Sequence, residues 1–132
     1  MAGTALALSE HFRQAKLYTV EPDGHDDTAR SLSTGKRQTN DPSARSICDA
    51  IVTPSPGLLT FPILQSKAAG GKVVTDEEAL SAMKTAWDYF KLTVEPGGAV
   101  ALAASLKQEV IASHTGYKRK TVVAILSGGN CD

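Results

Sequence analysis

The chain has 132 residues, 42% of them hydrophobic and 5% aromatic, which fits one domain spanning residues 1–132 and excludes a multidomain enzyme within these residues. Fourteen basic and fourteen acidic residues cancel to a formal net charge of zero, so no overall field draws the chain to nucleic acid or an anionic membrane, and binding must come from a local site. Apolar runs such as Val122 to Leu126 fall far short of the roughly 20 residues that cross a bilayer, and no basic segment precedes a long one, so a soluble, cytoplasmic protein is expected.

In chain order, Ala5, Leu8 and Phe12 recur at helical spacing over Thr4 to Phe12, and Leu17 to Val20 follows as a short strand. The helix begins almost at Met1 with no preceding cap, as if the chain starts in mid-architecture. Glu21-Pro22-Asp23-Gly24 is expected to break the strand. Asp26 or Asp27 then caps a helix through Leu32 that closes at Gly35. Residues 35–57, rich in turn formers such as Asn40-Asp41-Pro42-Ser43, read as a long connection, either functional or loosely held. Leu58 to Ala69 suits a helix with Pro62 in its first turn, ended by Gly70-Gly71. Thr75 and Glu78 form a capping-box pattern ahead of Leu80, Met83, Trp87 and Phe90 on one helical face. Pro96 opens another helix through Val110, and Thr121 to Leu126 reads as a strand covered on both faces. Alternating strand and helix signals place the chain in the α/β class with a mainly parallel sheet.

Ligands of open parallel sheets gather where strands end, which directs attention to Ser127-Gly128-Gly129-Asn130. Its glycines would let a flat ring or phosphate approach the backbone, and the Ser127 hydroxyl can donate to a ring nitrogen; a tight strand-exit turn explains the same residues. Glu95-Pro96-Gly97-Gly98-Ala99 brings a carboxylate, free helical amides and two glycines together, as a polar ligand or simply a helix start would require. Glu21 with Asp26 and Asp27, separated by turn residues, offers hard oxygen ligands for Mg2+ or Ca2+ with help from the His25 carbonyl, although helix capping also accounts for the aspartates. His11 and His114 have no partners at ligand or triad spacing and read as surface residues. Cys48 and Cys131 show neither zinc nor disulfide spacing and are expected to be free thiols.

Taken together, residues 19–32, Ile47-Cys48-Asp49-Ala50, Thr60-Phe61-Pro62-Ile63, Glu95-Pro96-Gly97-Gly98-Ala99 and Leu126-Ser127-Gly128-Gly129-Asn130 resemble the threonine/serine dehydratase and serine racemase family, in the right order across nearly the whole chain. The resemblance implies part of the cofactor domain of a fold-type II pyridoxal-phosphate enzyme, a partial three-layer sandwich. It implies that Ser127 hydrogen-bonds the pyridine nitrogen, that Gly128 and Glu95 flank the ring, and that Glu21, the carbonyl of His25 and Asp27 hold a divalent cation. His25 stands where the family often has a smaller or apolar residue, which a backbone ligand tolerates.

The departures from that pattern bear on activity. The family's Schiff-base lysine lies in a segment resembling Ser-x-Lys-x-Arg, and none of the nine lysines here has that context. The Gly-rich phosphate cup would precede the helix that begins at Ala2-Gly3-Thr4. The chain therefore resembles the C-terminal part of such an enzyme, with no regulatory extension expected after Asp132. Complete relatives convert L-threonine or L-serine to a 2-oxo acid and ammonia; this chain alone is expected to be inactive and to hold pyridoxal phosphate weakly or not at all. Alternatively it is a non-catalytic interaction module, forming a homo-oligomer or joining a complementing N-terminal half, or a small metal-binding module. Neither a nucleic acid nor a membrane is expected as a partner.

Overall fold

A computed structural model describes residues 1–112 and 121–131; His114 lies outside them. Helix α1 (Ala2–His11) packs on α3 (Phe61–Lys67), burying Ala5 and half-burying Leu8, while Phe12 falls outside the helix and is exposed. Pro62 sits in the first turn of α3, where its missing N–H costs nothing. The expected earlier start at Leu58 is not found: Leu58 and Leu59 precede the helix and are 73% and 87% exposed.

The sheet is formed by β1 (Tyr18–Pro22) and β2 (Gly70–Val74), parallel and in register from Tyr18 opposite Gly70 to Pro22 opposite Val74. Glu21 and Pro22 continue β1 rather than breaking it. Proline's absent donor is tolerated at the strand's end, and the next N–H, that of Asp23, bonds to the Val74 carbonyl at 2.8 Å. The second strand was not expected. Gly70 and Gly71 read as terminators of α3, but that helix ends at Lys67 and the glycines open β2, led in by the Ala69 N–H on the Leu17 carbonyl at 2.7 Å.

Helix α2 (Asp27–Thr34) lies on β2 and ends at Gly35. Its start differs from expectation, because neither Asp26 nor Asp27 makes a side-chain cap; the Glu21 carboxylate, arriving from β1, accepts from the Thr28 and Ala29 amides at 3.0 and 2.8 Å instead. The long connection is held rather than loose. Arg37 donates to the Pro56 carbonyl and Ser55 hydroxyl, and Asp76 accepts from the Ser46 hydroxyl (2.6 Å) and the Ile47 amide (3.1 Å), which seats buried Cys48 in the core ahead of a 3₁₀ turn at Asp49–Ile51.

Helix α4 (Asp76–Thr85) begins with the full capping box between Thr75 and Glu78 and continues into a π turn over Ala86–Phe90. Its buried stripe is Ala79, Ala82 and Ala86, with Met83 partly buried; Leu80, Trp87 and Phe90, expected as the core face, are more than half exposed. Small side chains allow a close approach of α4 to α5 (Pro96–Ser105), whose Ala99, Val100, Leu102 and Ala103 complete the core, and the bulky stripe is left beside that seam. The helix from Pro96 stops at Ser105, with α6 (Gln108–Ala112) separate. Residues 121–126, expected as a covered strand, form no ladder with β1 or β2. Val123 and Ile125 are 81% and 60% exposed there, while Leu126 still packs against the core. No described helix is long and apolar enough to cross a membrane.

The α4 start is also tied to the turn that follows α5, since Lys107 pairs with Glu78 at 2.9 Å. That contact holds the Glu78 carboxyl below its ordinary value of 4.5. Thr75→Ala should lower unfolding stability by about 1 kcal/mol in urea titration. A depressed carboxyl stabilises the fold above its unfolded value, so the advantage of the native chain over Glu78→Ala should hold at neutral pH and shrink as pH falls below 4.5.

Candidate functional site

The N-terminus of α5 and the segment after residue 126 meet. Glu95, extended at φ −70 and ψ 161, is the residue before the helix. Its carbonyl accepts from the Gly98 and Ala99 amides at 3.0 and 3.1 Å, and its own N–H donates to the Gly128 carbonyl at 3.0 Å. Two glycines are constrained here, Gly98 by the backbone it meets and Gly128 by its left-handed conformation. A Cβ on Gly98 would stand 1.5 Å from the Ser127 carbonyl oxygen, and one on Gly128, whose φ is +74, would stand 2.1 Å from Glu95 Oε1. Downstream, Cys131 Sγ reaches the Val94 carbonyl at 3.2 Å and its N–H the Gly129 carbonyl at 3.1 Å.

Ser127, Gly128 and Glu95, selected separately on sequence, are thus neighbours. Leu92, Thr93, Val94 and residues 126–129 line an open hollow of about 240 Å³ between the two segments, with Ser127 exposed. Ala50 and Ile51 lie against Gly97 from the other side, so the 3₁₀ turn braces the helix start. A larger open hollow where the chain leaves α1 is lined by residues 10–15, all exposed, and contains none of Ser127, Gly128 and Glu95.

The second candidate group sits where β1 delivers the chain to α2. Asp27 is fully buried; its Oδ1 accepts from Asn40 Nδ2 at 2.5 Å and its Oδ2 has no hydrogen-bond partner. His25 is 8% exposed, and its Nδ1 also lacks a partner. Burial pushes the Glu21 carboxyl above 4.5 and the Asp27 carboxyl above 3.8, opposed at Glu21 by Thr28 and Ala29 and at Asp27 by Asn40, while Asp27 adds like-charge repulsion at Glu21. A raised carboxyl favours the folded state most below its ordinary value and loses that contribution as pH rises through the raised one.

Among the described residues no three His, Cys, Asp or Glu side chains are grouped to hold a metal. Of the three carboxylates noted in the sequence, Asp26 is taken by Arg30 Nε at 2.8 Å, which leaves the set the resemblance implies, Glu21, Asp27 and the His25 carbonyl; the orphaned Asp27 oxygen suits a hard cation. Both Glu21 oxygens already serve the α2 amides and the Thr28 side chain also bonds this carboxylate, so less of Glu21 than of Asp27 is left for a cation. Asn40 had no sequence signal beyond its turn context, because only the course of the long connection brings it to Asp27. His11 is exposed, as expected, and Cys48 and Cys131 are thiols.

Against known proteins, the family described as "Pyridoxal-phosphate dependent enzyme" matches residues 1–128. The chain is 38% identical over 133 residues to serine racemase of Dictyostelium discoideum, covering 100% of this chain and 40% of that protein. It is 34% identical over 134 residues to L-threo-3-hydroxyaspartate ammonia-lyase of a Pseudomonas species, again 100% against 40%. Of solved structures, the T.th. threonine deaminase superimposes with a TM-score of 0.88 at 34% identity, covering 99% of this chain and 45% of that one. The Dictyostelium serine racemase structure gives 0.86 at 38% identity, covering 99% and 40%. The chain spans about two fifths of the length of these curated relatives.

The tight seat of Ser127 generates a direct expectation. Gly98→Ala should lower stability by roughly 1–3 kcal/mol and speed thiol labelling of Cys131, since backbone must move to admit the methyl group. Gly3→Ala, with nothing within 4 Å of the added carbon, should leave both unchanged or slightly raise stability.

Proposed function

As this chain belongs to the pyridoxal-phosphate dependent enzymes, we propose that it is the ring-side portion of a threonine/serine dehydratase (ammonia-lyase)-like protein, inactive by itself. The observation that carries the reading is the meeting of Ser127 and Gly128 with Glu95 at the start of α5. When bound, pyridoxal phosphate would supply an electron sink for the α-carbon of an amino acid. The Ser127 hydroxyl would donate to the ring nitrogen; being neutral, it need not keep that nitrogen protonated, which suits elimination. Gly128 would give the ring access to the backbone, and the Glu95 carboxylate would flank it.

In the complete protein the substrates would be hydroxy amino acids such as L-threonine or L-serine, giving a 2-oxo acid and ammonia. The names of the relatives, which include serine racemase, threonine deaminase and the hydroxyaspartate ammonia-lyase, support that class. Inactivity of these 132 residues is supported by their nine lysines, none of which has the Ser-x-Lys-x-Arg context of the family's nucleophile. Among the described residues no lysine lines the hollow, and Lys72, Lys84 and Lys107 are engaged by Glu109, Asp88 and Glu78. Two carboxylates at Glu21 and Asp27, with the His25 carbonyl, would hold Mg2+ or Ca2+ and brace β1 against α2. Thiols at Cys48 and Cys131 support a reducing, cytoplasmic location.

The exposed Leu58, Leu59, Val123 and Ile125 favour a second reading, in which the chain associates with a complementing N-terminal half or with copies of itself. A monodisperse monomer by light scattering would count against self-association. For the first reading, the purified chain with pyridoxal phosphate and L-threonine should form no more 2-oxobutanoate than its Ser127→Ala variant. Turnover above that level would refute inactivity.

A further inference from the structure

We propose that Asn40 is a positioning residue for cation binding, fixing the Asp27 carboxylate so that one oxygen is spent and the other stays open. The inference rests on the reading of Glu21, the His25 carbonyl and Asp27 as a divalent-cation site. It adds a residue that lies 13 positions away from Asp27.

Asn40 is 6% exposed, and its side-chain polar atoms and backbone N–H are all engaged. One amide proton goes to Asp27 Oδ1 at 2.5 Å and the other to the Thr53 carbonyl at 2.7 Å. Its Oδ1 accepts from Arg30 Nη2 at 2.5 Å, and its backbone N–H donates to the Pro54 carbonyl at 2.9 Å. Arg30 has only donors to offer, and the Thr53 carbonyl can only accept, so the amide cannot flip without setting donor against donor and acceptor against acceptor. Its NH2 group is therefore committed to Asp27. The carboxylate is pinned at Oδ1, while Oδ2, buried and without a hydrogen-bond partner, is the atom left for a ligand.

A carboxylate that binds a metal is oriented by hydrogen bonds to its other oxygen, and removing such a partner typically costs about 10–100-fold in affinity. The competing account is that Asn40 merely ties the long connection to α2. Arg37 separates the two, because it anchors the same connection through Pro56 and Ser55 at 2.7 and 2.9 Å without touching Asp27.

The test is calorimetric titration of the 132-residue chain with Ca2+, with the Ca2+-dependent rise in melting temperature as a second readout. The native chain and Arg37→Ala should bind alike, Asn40→Ala about 10–100-fold more weakly, and Asp27→Asn not detectably. If Asn40→Ala does not fold, Asn40→Ser, which keeps one donor, makes the same comparison. Native affinity in the Asn40 variant alongside loss in Asp27→Asn overturns the role of Asn40 and leaves the cation site standing. Equal weakening in Arg37→Ala and Asn40→Ala overturns it in favour of loop ordering. No binding by the native chain overturns both.

Discussion

The candidate cofactor face depends on a backbone contact that only glycine permits. Between the Ser127 carbonyl and the first turn of α5 there is no room for a methyl group at residue 98, and the Glu95 carboxylate occupies the space a side chain on residue 128 would need. The Glu95 amide closes the contact on the Gly128 carbonyl. A helix start, with its free amides and positive dipole end, is thereby set beside a loop that exposes a serine hydroxyl. A bulkier residue at 98 would push the two segments apart, and one at 128 would strain the left-handed turn that presents the Gly128 carbonyl to Glu95.

What supports this face is a run of indirect ties. Asp76 holds Ser46 and Ile47, which seats Cys48 in the core and sets Ala50 and Ile51 against Gly97. The same connection is fastened further back by Asn40 and Arg37. Residues 35–57, without regular structure except for one short turn, thus span the distance between the carboxylates at the start of α2 and the start of α5. The alanine seam of α4 and α5 supplies the rigid base, because small side chains bring two helices close without gaps.

Signals carried by local chemistry were legible in the sequence. The Thr75–Glu78 capping box, Pro62 and Pro96 in first turns, and Gly35 after α2 are short-range devices, and each occupies its expected place. Ser127, Gly128 and Glu95 could be singled out because a strand end and a helix start are recognisable individually, and their pairing followed from family resemblance rather than from any spacing. Long-range features were hidden. β2 opens with two glycines that look like a stop; Glu21 replaces the aspartates as the cap because β1 carries it there; the bulky face of α4 loses to its alanine stripe because close helix approach, not hydrophobicity, selects the buried side. Residues 121–126 kept a strand's composition without a strand's partner.

The bond from the Glu95 amide to the Gly128 carbonyl is the point on which the candidate cofactor face stands or falls, and residue-resolved hydrogen exchange of the native chain measures it. Slow exchange of the Glu95 N–H, made fast in Gly128→Val while the Ala79 amide within α4 stays protected, is the predicted result. Exchange of the Glu95 amide at the free-chain rate in the native protein would mean that the two segments do not meet, and would contradict the assignment of that face.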